Sequence, residues 1–400
     1  MRITPTTELS NRFRRLQEQM ATAGQDGILM LQNADLFYFT GSIQQGVLYV
    51  PQSGEPIYMV RKDFGRARME SGLKEIVSFG SPKDIPKILA DFGYSMPKKV
   101  GMELDVLPVA IYQRFTKVLE DAEIVDASHL IRLVRSVKSK YELEILKDAA
   151  VMVDKMYKRA QEIARLGMTD LELSAEIEFL ARKDGHQGIT RMRGFNSEIF
   201  FGHLFSGPDG AAPAYLDAPL GGIGVNPSIG QGASYKPIRE NQPIVVDFLG
   251  AFDGYMVDQT RIMVVGELPA QLSKAYDDML KVQARLKEVA RPGVMWGEVY
   301  DECYALACEL GYADNFMGAK GAQVSFIGHG IGVEVDEYPF LARGFKDQPL
   351  QENMVFAFEP KAVFPGLGAV GIENTFYLTK TGLIHLTFSK EDLCVLKKAG

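Results

Sequence analysis

The segment from Val245 to Arg261 constrains the fold more than any other stretch, because two aspartates sit on either side of a turn signal within it. Apolar, β-branched residues precede it (Ile244 to Val246) and follow it (Ile262 to Val265), with Asp253-Gly254 between the two runs. This pattern predicts a β-hairpin. With Asp253 and Gly254 as the central turn residues, Asp247 faces Thr260 and Asp258 lies two residues along from that partner. The two carboxylates then share one face of the ribbon diagonally, within reach of a common third body. Carboxylates held that close repel, and one must take up a proton unless a cation lies between them. A divalent metal fits that role, and a solvated turn is the plainer alternative.

The rest of the chain narrows the setting. Four hundred residues exceed one small core and imply two domains. Hydrophobic residues at 46% and charged residues at 24% exclude wholesale disorder. A formal charge of -7 without any run of Lys or Arg speaks against a nucleic-acid or anionic-membrane partner. No apolar run approaches a membrane span and Met1 to Arg15 has no signal-peptide core, so a cytoplasmic protein is expected. Cys303, Cys308 and Cys394 have no metal-ligand spacing and read as ordinary thiols, the first two in one apolar helical stretch.

Taken in order, Asn11 to Ala23 reads as an amphipathic helix and Gly27 to Leu31 as a buried strand. Strands are predicted at Phe37 to Phe39, Val47 to Val50, Ile57 to Val60, Lys99 to Met102 and Glu123 to Val125, and helices at Asp84 to Phe92 and Val109 to Leu119. The alternation implies an α/β domain over residues 1–135, with a boundary inside Leu130 to Lys140 and a second domain over residues 136–400. Helices follow at Tyr141 to Leu166 and, behind a Thr169/Glu172 capping box, up to Ala181. Gly185 to Ala233 is rich in Gly, Pro and Ser and carries His186 and His203; such a connection lines a site or is a plain surface excursion. Two more helices are expected, at Pro269 to Ala290 and Gly297 to Leu310.

Beyond them, Gly328-His329-Gly330-Ile331-Gly332 places an imidazole between glycines that let the backbone pass close to something bulky. Taken alone, such a histidine is more commonly structural. Phe356 to Glu359 and Ile372 to Phe376 read as strands around a turn at Pro365 to Gly368, and a loop centred on Gly366 sets Glu359 opposite Glu373. Asp247, Asp258, His329, Glu359 and Glu373 thus form an oxygen-rich set with one nitrogen, suited to Mn, Co, Fe or Zn. With bridging carboxylates it could hold two ions about 3.5 to 4 Å apart, a pair that lowers the pKa of a water and polarises a carbonyl.

At these residues the chain resembles the pita-bread metallopeptidases, the group of methionine aminopeptidase, aminopeptidase P, prolidase and the metal-free creatinase. The resemblance rests on Asp247 with Gly254-Tyr255 and Asp258-Gln259-Thr260-Arg261, on Gly328 to Gly332, on Phe358-Glu359-Pro360, and on Ile372-Glu373-Asn374. Asn33, Phe37, Tyr38, Thr40 and Gly41 add a likeness to the N-terminal domain of the prolidase, aminopeptidase P and creatinase branch. The resemblance implies an α/β N-terminal domain followed by an α+β pita-bread catalytic domain, a homodimer, and a Xaa-Pro peptidase using two divalent ions. It further implies that Asp247 holds one ion, Asp258 and Glu373 bridge, His329 and Glu359 hold the second, and Glu359 acts as general base.

Three positions depart from the family pattern. Where the peptidases carry a His after Pro, Pro213 is followed by Ala214. Where they carry a second His seven residues after the metal-binding one, this chain has Asp336. Where they often carry Arg two residues before the last ligand, it has Gly371. His203 is the candidate to replace the missing oxyanion donor, and Asp336 and Tyr338 are candidates to meet substrate. A metal-dependent hydrolase or lyase of a small non-peptide substrate is the alternative function. An inert scaffold is disfavoured, because buried carboxylates without a metal cost several kcal/mol.

Overall fold

The computed structural model describes residues 2–397. The chain divides into two compact units, Met1–Arg135 with Arg193–Asn196, and Ser136–Met192 with Ser197–Gly400. In the first unit β1 (Gly27–Met30), β2 (Gly46–Pro51), β3 (Ile57–Val60), β4 (Ile76–Ser78), β5 (Lys99–Met102) and β6 (Glu123–Asp126) form one mixed sheet in the order β4-β3-β2-β1-β5-β6. Leu29, Tyr49, Met59 and Met102 from this sheet pack with Leu89 and Phe115 from helices to make a core. The N-terminal helix runs Thr6–Ala23 and so begins earlier than its apolar rhythm.

One predicted element is corrected. Phe37 to Phe39 is not a strand but lies in the helix Asn33–Thr40. The Gln32 side chain accepts the Asp35 amide at the start of that helix, and Gly41 closes it at φ 77°. Because Leu36, Tyr38 and Phe39 are all buried, no polar face betrays the helical period. In the same unit the Asp35 carboxylate lies between the guanidiniums of Arg135 (2.6 Å) and Arg193 (2.8 Å), and Arg193 also forks onto Asp105.

The second unit opens with the helix Lys140–Ile163, capped by Ser139 and Glu142, and the helix Asp170–Lys183, capped by Thr169 and Glu172. Both are reciprocal capping boxes that satisfy amides left open at the helix start. The helices Ala270–Val289 and Trp296–Glu309 follow later. One sheet contains β7 (Gly202–Ser206), β8 (Ile244–Phe252), β9 (Tyr255–Val265) and, last in the chain, the strand Cys394–Leu396 beside β9. A five-stranded sheet takes β10 (Phe326–Ile331), β11 (Val335–Ala342), β12 (Val355–Phe358), β15 (Asn374–Thr379) and β16 (Gly382–His385), in the order β11-β10-β12-β15-β16. Between β12 and β15, β13 (Lys361–Phe364) and β14 (Gly368–Gly371) form a two-stranded ribbon.

The hairpin of β8 and β9 has the register read from its turn. Asp253 and Gly254 both have positive φ, at 45° and 86°, as a two-residue I′ turn requires. Asp247 pairs with Thr260 and Leu249 with Asp258. The second expected hairpin keeps one register from end to end, with Phe358 opposite Asn374 and Lys361 opposite Gly371, but it is split into two ladders. The break falls at Pro360, which has no N–H to give. There the Glu359 amide donates to Ile327 O and the Glu373 amide to Thr260 O, which turns both ligand-bearing residues toward the neighbouring strands.

Candidate metal centre

Asp247, Asp258, His329, Glu359 and Glu373 all line one cleft of the second unit. Asp258, His329 and Glu373 present ligand atoms within 4.8 Å of one another. His329 Nε2 lies 3.8 Å from Glu359 Oε1 and 3.9 Å from Glu373 Oε1. Those separations are too long for hydrogen bonds, yet suit groups that share an ion at about 2.0 to 2.2 Å from each. Glu373 Oε1 is buried with no hydrogen-bond partner among the described residues. A buried carboxylate oxygen in that state calls for a cation, so the donor set fits at least one divalent ion.

Polar neighbours fix the ligands. Thr260 Oγ1 lies 2.8 Å from Asp247 Oδ1 and 2.7 Å from Glu373 Oε2; its single proton serves one carboxylate at a time. Thr375 Oγ1 accepts the Asp258 amide and donates to the Asp258 carbonyl. The wholly buried Arg261 guanidinium donates to the carbonyls of Glu373, Ser389 and Lys390 and to the Asn374 side chain, clamping the backbone around the last ligand. His329 Nδ1 lies 3.1 Å from Gly330 O and 3.6 Å from Asp336 Oδ1, which leaves Nε2 for a metal. The flanking glycines are required by backbone, not by ligand: a Cβ on Gly328 would lie 2.5 Å from Ala357 O, and one on Gly330 2.1 Å from Tyr338 O.

The electrostatics record the crowding. Burial, reinforced by Glu373 and Asp247, pushes the Asp258 pKa well above the ordinary carboxylate value. Burial also raises Glu373, and it raises Glu359 to about 8, against the lowering pull of Lys361 on both. Burial alone would lower His329, but Asp336, Glu359 and Glu373 together raise it.

Comparison with known proteins agrees with this arrangement. Residues 144–380 match the model of metallopeptidase family M24, and residues 12–137 match the creatinase/prolidase N-terminal domain. The chain belongs to metallopeptidase family M24. It is 26% identical over 387 residues to a Xaa-Pro dipeptidase of Pyrococcus furiosus, covering 96% of this chain and 100% of that protein. Among solved structures it resembles a Xaa-Pro dipeptidase from Bacillus anthracis, with a TM-score of 0.81, 27% identity, and coverage of 97% of this chain and 100% of that one. The prolidase from Pyrococcus horikoshii OT3 gives a TM-score of 0.79 at 25% identity, covering 96% and 99%. The architecture is accordingly a creatinase/prolidase-like α/β unit followed by a pita-bread catalytic unit.

Against that M24 background the remaining candidates separate. His203 lines the cleft beside its cross-strand partner Asp247, and its Nε2 is buried with no hydrogen-bond partner among the described residues. Burial lowers its pKa, against the raising pull of Asp247, and so favours the neutral imidazole. Asp336 also lines the cleft, braced toward His329. Tyr338 is not among the lining residues; its ring packs on Trp296 and Phe340 at 5.1 and 5.4 Å. Asp336 has φ 63°, in the stretch where the pairing of β10 with β11 shifts register.

Sequence reading missed Lys361. Its ammonium is 1% exposed and lies 2.8 Å from Glu359 Oε2, 2.9 Å from Glu373 Oε2 and 3.4 Å from Asp247 Oδ2. Burial works against its charge, but those three carboxylates raise its pKa well above the ordinary lysine value. The available signal was spacing: Lys361 stands two residues after Glu359, between the strand expected at Phe356 to Glu359 and the turn expected at Pro365 to Gly368.

Proposed function

We propose that this chain is a metal-dependent Xaa-Pro peptidase of the dipeptidase or aminopeptidase P type, acting in the cytoplasm as a homodimer. The observation that carries the reading is the convergence of Asp247, Asp258, His329, Glu359 and Glu373 on one cleft in a chain of the M24 family. The dipeptidase names of relatives that cover 96 to 97% of the chain support the substrate class. By ligand chemistry the resident ion is Mn, Co, Zn or Fe. Bound there, it would lower the pKa of a water and polarise the scissile carbonyl.

The chain's own residues supply the rest. In this reading Glu359 takes the proton of the attacking water and returns it to the leaving nitrogen. His203, neutral and without a partner at Nε2, is placed to donate to the carbonyl oxygen as charge develops on it. Ile199, Leu216, Leu220 and Val335 are apolar lining residues of the cleft, a chemistry suited to a pyrrolidine ring. Asp336 contributes a carboxylate on the substrate side. No helix among the described residues is long and apolar enough to cross a membrane.

The test is a panel of Xaa-Pro dipeptides and Xaa-Pro-Yaa tripeptides, assayed after chelation and again with added Mn²⁺ or Co²⁺. Cleavage before proline that disappears on chelation and returns with metal is the expected outcome. No cleavage with any ion would favour hydrolysis or elimination of a small non-peptide substrate instead, where Asp336 meets a cationic or hydroxyl-bearing group.

A further inference from the structure

We infer that the Lys361 ammonium takes the place of one cation of a would-be dinuclear centre, so that each chain binds one divalent ion. This deepens the metallopeptidase reading and rests on it. Two of the five ligands, Glu359 and Glu373, already reach both the lysine and the imidazole. Glu359 directs Oε2 to Lys361 Nζ at 2.8 Å and Oε1 toward His329 Nε2 at 3.8 Å. Glu373 does the same, with Oε2 at 2.9 Å from Nζ and the unpartnered Oε1 at 3.9 Å from His329 Nε2. Asp247, which only the first ion would need, has Oδ2 at 3.4 Å from Nζ. Asp258, His329 and Glu373 meanwhile keep ligand atoms mutually within 4.8 Å.

The backbone is adapted to this placement. Lys361 is the cross-strand partner of Gly371, and a Cβ at Gly371 would lie 2.8 Å from Lys361 Cα and Cγ and 2.5 Å from Pro360 O. A side chain at position 371 would therefore displace the lysine stem. The glycine and the lysine form a matched pair, and the positive charge enters the cluster from β13. A lysine ammonium carries one charge and donates three hydrogen bonds, which the three carboxylate oxygens can receive. It can neither activate a water nor be exchanged for another ion. Its consequence is a fixed charge where relatives could place an exchangeable metal.

The experiment counts metal. Chelated full-length protein is dialysed to equilibrium against Mn²⁺ and, separately, Co²⁺, and bound metal per chain is measured by elemental analysis, with electron paramagnetic resonance on the Mn²⁺ form. The wild type should take up one equivalent and show the spectrum of an isolated Mn²⁺. Lys361→Met, which keeps the stem and removes the charge, and Lys361→Gly, which removes both, should take up two equivalents and show exchange coupling between them. Two equivalents in the wild type would overturn the inference and leave the metallopeptidase reading standing. One equivalent in a folded variant would also overturn it, since the lysine would not set the count. No binding by the wild type would remove the metallopeptidase reading itself. The wild-type count stands even if a variant does not fold.

Discussion

Arg261 holds the last ligand in place through backbone carbonyls, and removing its guanidinium should loosen that arrangement measurably. In Arg261→Met the stem is kept while the donors to Glu373 O, Ser389 O, Lys390 O and Asn374 Oδ1 are lost. Two acceptors are rescued: Thr260 O, which Arg261 also bonds, still receives the Glu373 amide, and Asn374 Oδ1 still receives Thr387 Oγ1. Two buried carbonyls, Glu373 O and Ser389 O, lose a charged donor at about 1 to 3 kcal/mol each, while the carbonyl of the exposed Lys390 turns to water. The relief of burying a guanidinium, whose pKa burial already lowers, offsets part of this. A net loss of about 3 kcal/mol follows, a sizeable share of the about 5 to 15 kcal/mol that stabilises a domain. Urea unfolding followed by circular dichroism measures it, with metal affinity by titration as a second reading. A loss under about 1 kcal/mol with unchanged metal affinity would refute the view that Arg261 braces the Glu373 segment.

Further outcomes follow from other residues. His186 accepts the Gly188 amide at Nδ1 and pairs with Leu249 O at Nε2, and burial depresses its pKa to about 4. The unfolded chain protonates it near 6.5 while the folded chain does not, so stability present above 6.5 is lost as pH falls toward 4, by on the order of 3 kcal/mol; His186→Asn should flatten the stability-pH curve in that window, and an unchanged curve would show that His186 is not the linked group. Gly371→Ala should cost about 1 to 3 kcal/mol by overpacking against Pro360 and Lys361, read as a lower urea midpoint, and a neutral effect would mean that the ribbon yields freely there. His203→Ala should lower kcat about 100- to 1,000-fold with little change in KM or metal content, whereas unchanged turnover would remove His203 as the donor.

The central hairpin was legible because Asp253-Gly254 admits few turn geometries, and that choice carries the register of every residue from Ile244 to Met263. The pairing of residues around Gly366 was legible for the same reason, but its interruption was not. Pro360 signals a lost hydrogen bond without saying which strands receive the amides of Glu359 and Glu373. Lys361 stayed hidden because a lysine on a strand is ordinarily solvated, and only the tertiary arrangement surrounds it with three acids. The helix at Asn33–Thr40 was misread because its apolar residues are buried all round. The stretch from Gly185 to Ala233 has little periodicity to read, so neither the strand Gly202–Ser206 nor the position of His203 beside Asp247 could be derived from it.

The most direct measurement is anomalous diffraction from crystals grown with Mn²⁺ or Co²⁺, collected at the absorption edge of that ion. A strong peak bonded by Asp258, His329 and Glu373 is predicted, with the Lys361 ammonium still between Glu359, Glu373 and Asp247. Contradiction would be the absence of any peak at these residues in metal-loaded crystals, or ligand side chains turned out of the cleft.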